Sequence, residues 1–309
     1  MRGMKITTTT TLAHPLRLAP LVCAALLAAC GGGDDSSSPF VDPPTVSSTN
    51  VGTAMYSQTA LVTINGAHLD AGLSVSSAGC SDMTRSMTAP NVSSDTTAYY
   101  TCTVSAVGAQ TVTVSRSSDN TVLGSANFNV NQPQVTMTVD NGLTGPAQVS
   151  GSMLLALQAD KAPITVMNFL AYVNSGFYVG TTFHRVVPGF VIQGGGMLAN
   201  GTPKTPTLAP IALETSGGLS NVEFSLAMAR TSDPNSATSQ FFVNLADNSS
   251  ALDPGGASGP DGYAVFGSVS GDTSLVGAIS GASPCDLALP NSECAPTVAV
   301  VITAAQQTQ

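Results

Sequence analysis

Between residues 45 and 130 apolar and polar positions alternate in short segments, among them ALVTING, AYYTCTVSA, AQTVTVSR and SANFNV, separated by Gly, Asn, Asp and Ser turns. A period of two puts every second side chain on one face of a strand, and β-branched residues suit that pleated surface. Several such segments at short intervals predict a small antiparallel β-sandwich over residues 45–131. The pattern stops in NQPQ, where a proline that cannot donate to a sheet marks a link, and the boundary falls at Gln132. A second domain is then expected over residues 132–305.

VTMTVDNG and GSMLLALQA read as two further strands, after which the period changes. In DKAPITVMNFLAYVNSG the apolar residues Val166, Phe169, Leu170 and Val173 recur at i, i+3, i+4 and i+7, so one apolar face of a helix should cover a sheet or barrel. Pro163 suits the first turn, and Gly176 can end the helix in a left-handed conformation. EFSLAMAR, SQFFVNL and YAVFGSV return to strand, and DTSLVGAIS offers a second short helix. The expected fold class is mainly β, with two helices confined to the second half of the chain.

The first thirty residues change the compartment. A basic start is followed by an apolar run, Leu16 to Ala29, which is too short for a comfortable membrane span and reads as an export signal. The run ends in LLAAC, which resembles the lipobox of bacterial lipoproteins, whose cysteine becomes the lipidated first residue of the mature chain. An ordinary signal peptide cleaved near the same Ala-Ala pair leaves both the abrupt cysteine and the glycine-rich GGGDDSSSP after it unexplained. The reading is a signal peptide over residues 1–29, a flexible tether over 30–44, and a membrane anchor at Cys30. Gly31 rather than aspartate after that cysteine points to the outer membrane, facing the periplasm.

Apart from Cys23 in the apolar run and Cys30, four cysteines remain: Cys80, Cys102, Cys285 and Cys294. In an oxidising compartment an even count predicts two disulfides. Three connectivities are open, and joining Cys80 to Cys102 and Cys285 to Cys294 keeps each bridge within one domain. The spacings are not those of a zinc site, and His68 and His184 are the histidines left to the mature chain, so neither metal nor cofactor is expected.

Charged residues make up 9% of the chain and hydrophobic ones 43%, a balance that can bury a core. The formal net charge is −9, and beyond residue 30 six Lys and Arg face eighteen Asp and Glu, a balance of −12. Binding to a nucleic-acid backbone through a basic surface is excluded. In so cation-poor a chain, the arginine inside FHRVVPGFVIQGGG calls for a reason. No phosphate loop of the G-x-x-x-x-G-K-[ST] type is present to claim the glycines, which instead suit a tight backbone path beside a groove.

The segments APITVMNFLAYVNSGFY, TTFHRVVPGFVIQGGG, SLAMARTSDPNSATSQFFVN and GYAVFGSVSGD, in this order and spacing, resemble the cyclophilin-type peptidyl-prolyl isomerases, most closely their bacterial branch. The resemblance implies a closed antiparallel β-barrel capped by two helices and an enzyme that rotates X-Pro bonds. It assigns catalysis to Arg185 and Gln193, and substrate binding to Phe190, Val191, Ala229, Gln240, Phe242, Leu252 and Tyr263. His184, one residue from Arg185 along a strand, alternates to the other face and is structural. The implied partners are proline-containing polypeptides, bound by a monomer; a proline-binding adaptor with incidental catalysis is the alternative. Ala251 stands where many eukaryotic members carry tryptophan, which implies weak cyclosporin binding. The sandwich is similar to immunoglobulin-like domains of the IPT/TIG type and carries no chemistry of its own.

Overall fold

The computed structural model describes residues 42–282 and 294–309. The expected signal peptide, the anchor Cys30 and one half of an expected disulfide, Cys285, lie outside the described residues.

Seven strands build the first half: β1 (Thr45–Val51), β2 (Thr59–Ala67), β3 (Leu73–Ser76), β4 (Cys80–Arg85), β5 (Thr97–Val104), β6 (Gly108–Arg116) and β7 (Val122–Val130). They form two sheets, one in the order β1-β2-β5-β4 and one in the order β3-β6-β7. Alternation places Val62, Ile64, Ala98, Tyr100, Val112 and Val114 in the core between the two sheets. Cys80 on β4 and Cys102 on β5 approach with Cα atoms 5.5 Å apart, within bridging reach.

The second half contributes β8 (Gln134–Asp140), β9 (Ser150–Leu157), β10 (Thr181–Val187), β11 (Val191–Leu198), β12 (Ser225–Met228), β13 (Phe241–Asn244), β14 (Val265–Ser270) and β15 (Val301–Gln307). They close into an antiparallel barrel in the order β10-β11-β13-β12-β14-β9-β8-β15, so no edge is left open. The seam between β8 and β15 pairs Val135 with Gln307. Helix α1 (Pro163–Asn174) buries Val166, Phe169, Leu170 and Val173, the four residues whose spacing announced it. Phe169 is the hub of the core, with ring centroids 5.1 Å from Phe266, 5.2 Å from Tyr178 and 5.5 Å from Phe241. Gly176 ends the helix with φ of 71°, the left-handed conformation expected of it.

The start of α1 has no capping side chain of its own, because Ala162 occupies that position. The Glu214 carboxylate supplies the cap instead: it accepts from the backbone N–H of Ile164 at 3.1 Å and of Thr165 at 2.6 Å, and from the Thr165 hydroxyl at 2.7 Å. The expected second helix is present as α3 (Ser274–Gly281), and a one-turn helix, α2 (Ser249–Leu252), adds an element that the apolar periodicity does not announce.

Sandwich and barrel share one buried apolar cluster, which takes in Tyr56, Ala60, Cys102, Val104 and Val130 alongside the barrel core, and polar contacts flank it. Tyr56, 1% exposed, donates its hydroxyl to the Pro163 carbonyl at 3.2 Å. Gln307 donates its amide to the Tyr56 carbonyl at 2.9 Å, and its Oε1 accepts from Gln58 and from Asn174 at 3.0 Å each. Burial, reinforced by the Glu214 charge, pushes the Tyr56 pKa up to about 12.

Candidate active site

The site forms on the outer face of the barrel, across four adjacent strands. Arg185 on β10 is opposite Gln193 on β11, Gln193 is opposite Phe242 on β13, and Phe242 is opposite Ala227 on β12. Directly opposed residues share a face, so sheet register alone sets this row. Strict alternation from Phe183, which is wholly buried in the core, would turn Arg185 inward as well. Phe183 pairs with Gly194 and Arg185 with Gln193, which is two steps along β10 against one along β11. That β-bulge, with His184 as its extra residue, carries the arginine to the outside.

The same register sorts the neighbouring side chains. Ile192 and Phe241 point into the barrel core, whereas Val191 and Phe242 join Ala227, Leu252 and Val265 in a separate apolar cluster on the outside. Phe190, Ala229 and Tyr263 pack against that cluster. Together with Arg185 and Gln193 these side chains line a cavity of about 290 Å³, to which Arg230 and Ser258 also contribute. The geometry therefore brings together eight of the nine residues expected at the site. The ninth, Gln240, stands behind the cavity wall.

Gln240 acts through its neighbour. Arg185 Nη1 donates to Gln193 Oε1 at 3.2 Å, and Gln193 Nε2 donates to Gln240 Oε1 at 2.9 Å. This chain of amides fixes the rotation of Gln193 and, with it, one edge of the guanidinium. The glycines after Gln193 make the approach possible. A Cβ on Gly195, whose φ is 83°, would lie 2.8 Å from the Tyr178 ring and 2.9 Å from the Ser239 carbonyl, and one on Gly196 would lie 2.4 Å from the Gln240 side chain.

His184 does not simply alternate to the face opposite Arg185, because it is the residue that the bulge inserts. As the bulge residue it bonds the Thr182 carbonyl through Nδ1 at 3.4 Å and interacts with the Gln240 side chain. Burial lowers its pKa, outweighing those two bonds, and the adjacent Arg185 charge acts in the same direction as burial. At neutral pH the imidazole is uncharged.

The far wall hangs on buried amides. Asn248 donates to the Phe190 carbonyl at 2.8 Å and to Asn244 Oδ1 at 2.7 Å, while Asn244 donates to Ser225 Oγ at 2.9 Å and bonds Asn221. Asp253, next to Leu252, accepts from the Asn221 backbone at 2.8 Å, from the Asn221 amide at 2.9 Å and from the Ser220 hydroxyl. Burial alone would raise the Asp253 pKa, but these bonds outweigh it and hold the carboxyl below its usual value. The network turns the one-turn helix α2 so that Leu252 faces the cavity. Tyr263 closes the other side, its ring 5.6 Å from Phe242 and nearly perpendicular to it.

Arg230 and the asparagine network are absent from the sequence-based expectation. The network joins residues 221 to 253 through contacts that no local pattern encodes. Arg230 carried a usable signal, since it is one of only six cations beyond residue 30.

Residues 136–307 match the model of the family described as cyclophilin type peptidyl-prolyl cis-trans isomerase/CLD. Peptidyl-prolyl cis-trans isomerase A of Dickeya dadantii is 52% identical over 120 residues, 39% of this chain and 61% of that protein. The peptidyl-prolyl cis-trans isomerase cyp18 of Streptomyces antibioticus is 49% identical over 132 residues, 43% of this chain and 79% of that protein. An Acinetobacter baylyi peptidyl-prolyl cis-trans isomerase is 54% identical over 120 residues, 38% of this chain and 61% of that protein. The matched part thus spans about three fifths of two of these relatives. With a family match that runs from β8 to the last strand of the barrel, the chain belongs to the cyclophilin-type peptidyl-prolyl cis-trans isomerase family.

Proposed function

We propose that this chain accelerates rotation about X-Pro bonds in exported polypeptides, acting as a lipid-anchored monomer in the cell envelope. The observation that carries the reading is a guanidinium fixed through Gln193 at the rim of an apolar slot on the barrel's outer face. The uncatalysed bond crosses a barrier of about 18–20 kcal/mol, at the top of which amide resonance is lost and the prolyl nitrogen gains a lone pair. A donor beside that nitrogen binds the twisted state better than either planar state, and this difference is what lowers the barrier. Arg185 supplies the donor, its guanidinium presenting several N–H groups in a planar fork.

Phe242, Val191, Leu252 and Phe190 hold the pyrrolidine ring while the residue before it swings, and Gln193 steadies the arginine and meets the peptide backbone. Ala229 leaves room for the residues preceding the proline, and the Tyr263 hydroxyl is placed to bond a peptide carbonyl. No nucleophile or cofactor takes part in this scheme. Ala251 beside Leu252 offers no indole, and the expected affinity for cyclosporin is weak.

The deciding experiment is a protease-coupled or exchange-NMR assay of the mature chain on a short Ala-Pro peptide. Turnover that collapses in Arg185→Ala supports the proposal. Background rates, or a rate indifferent to that substitution, overturn it, and saturable peptide binding without turnover would favour a proline-binding adaptor. Mass spectrometry of the mature N-terminus tests the anchor at Cys30.

A further inference from the structure

A second guanidinium lines the same cavity. Arg230 follows Ala229 and is half-buried, with its guanidinium carbon 4.6 Å from the centre of the Tyr263 ring. Nε and Nη2 donate to the Gly262 carbonyl at 3.0 and 2.9 Å, and Nη1 donates to the Thr231 carbonyl at 2.9 Å. Both acceptors are neutral carbonyls. Among the described residues no carboxylate lies within ion-pair distance of Arg230, and no acidic residue lines the cavity. Asp233 caps its own turn through the Asn235 N–H, Asp253 is held behind the slot by Ser220 and Asn221, and Asp261 is exposed without a pairing to Arg230.

Two consequences follow from the chemistry. A guanidinium presents five N–H groups, and three are used here, which leaves one on Nη1 and one on Nη2 for a further acceptor. The ring stack and the carbonyl clamp fix the position of the group without neutralising it, so an anion arriving there meets a preorganised partner. The chain around it is acidic, with eighteen Asp and Glu against six Lys and Arg beyond residue 30. A cation lacking a carboxylate partner beside the slot is therefore a local reversal of the protein's own field.

We propose that Arg230 is a specificity-determining residue that selects prolyl peptides carrying an Asp or Glu side chain within two residues of the proline. The inference rests on the isomerase reading above.

The test uses the mature chain and a peptide series in which a single Glu, Ala or Lys is placed in turn at each of the two positions on either side of the proline. At one or more positions Glu raises kcat/KM about twofold to fivefold over Ala and Lys lowers it, as one partly exposed charge pair allows. The difference shrinks in about 0.5 M salt. Arg230→Gln removes the preference, and Arg230→Lys, which keeps the charge but not the fork, retains part of it. A flat series in the wild-type chain, or a preference that survives Arg230→Gln, overturns the inference. The Ala-flanked peptide separates the two readings: if it is turned over and the series is flat, the specificity inference alone fails. If no peptide is turned over, the isomerase reading fails. The same series is then read as affinity by chemical-shift titration of the wild-type chain, where flat affinities overturn the role of Arg230 and a Glu preference upholds it.

Discussion

In the sandwich both arginines meet a carboxylate: Arg85 lies 2.6 Å from Asp70 and Arg116 lies 2.8 Å from Asp119. In the barrel Lys161 likewise lies 3.8 Å from Asp160, whereas Arg230 donates to the carbonyls of Gly262 and Thr231 and Lys204 to those of Phe177 and Val179; the Gln193 amide is one of the partners of Arg185. The two arrangements do different things. A carboxylate partner cancels the field of the cation and contributes up to about 1 kcal/mol at an exposed site. A carbonyl partner, as at Arg230, fixes orientation without adding an opposing charge.

The sharpest way to break that comparison is to remove one arginine from each region. Arg185→Ala should lower kcat/KM on a prolyl peptide about 10²- to 10³-fold, the cost of losing one positioned donor to a transition state. Arg85→Ala should leave the rate unchanged in the same assay. Equal losses from the two substitutions would show that the arginine beside the cavity has no role of its own in turnover.

The junction comes next. Gln307→Ala strips the buried Tyr56 carbonyl of its donor and Gln58 and Asn174 of their acceptor, at a cost of about 2–3 kcal/mol. Scanning calorimetry should show the melting temperature lowered accordingly, by several degrees. Glu214→Ala, which uncaps α1, should cost about 1–2 kcal/mol in denaturant unfolding.

The smallest effects come from titration, and they address the two regions from opposite ends of the pH scale. His184 resists protonation in the folded barrel, so the unfolded chain binds the extra proton and stability falls as pH drops below about 6.5. His184→Gln should flatten that acid limb. Tyr56 resists ionisation at the junction, so its contribution is intact below about pH 10 and is lost as pH rises toward 12. Tyr56→Phe should make the alkaline limb shallower, the remainder coming from Tyr178 and Tyr100, whose pKa values burial also raises, and leave the acid limb unchanged.

Much of this was legible in the sequence for identifiable reasons. Alternation and the i, i+3, i+4, i+7 spacing of Val166, Phe169, Leu170 and Val173 are local, and burial follows them in β2, β5 and α1, whereas β12 and β13 are buried on both faces. The order of FHR, PGF, QGGG and SQFF located the cavity because its lining comes from contiguous strand segments. The bulge at His184 was not legible, since a period-two reading contains no term for an extra residue in one strand. Glu214 was hidden by distance, reaching a helix that begins fifty residues before it, and Ala162 at the cap position was the sole hint that a cap had to come from elsewhere. Arg230 was overlooked although the scarcity reasoning applied to Arg185 holds for it equally.

The barrel's seam has a consequence for the order of assembly. The sandwich completes both of its sheets with residues 45–130, so its strand pairing can form before the barrel's strands have been synthesised. The barrel cannot close until Gln307 arrives to pair with Val135, a loop closure spanning nearly the whole domain, and such non-local pairings are slow to form. By then Tyr56 and Gln58 are already in place, and the residue that closes the seam is also the one they bind. The early domain thus offers a finished docking point to the last strand of the late one.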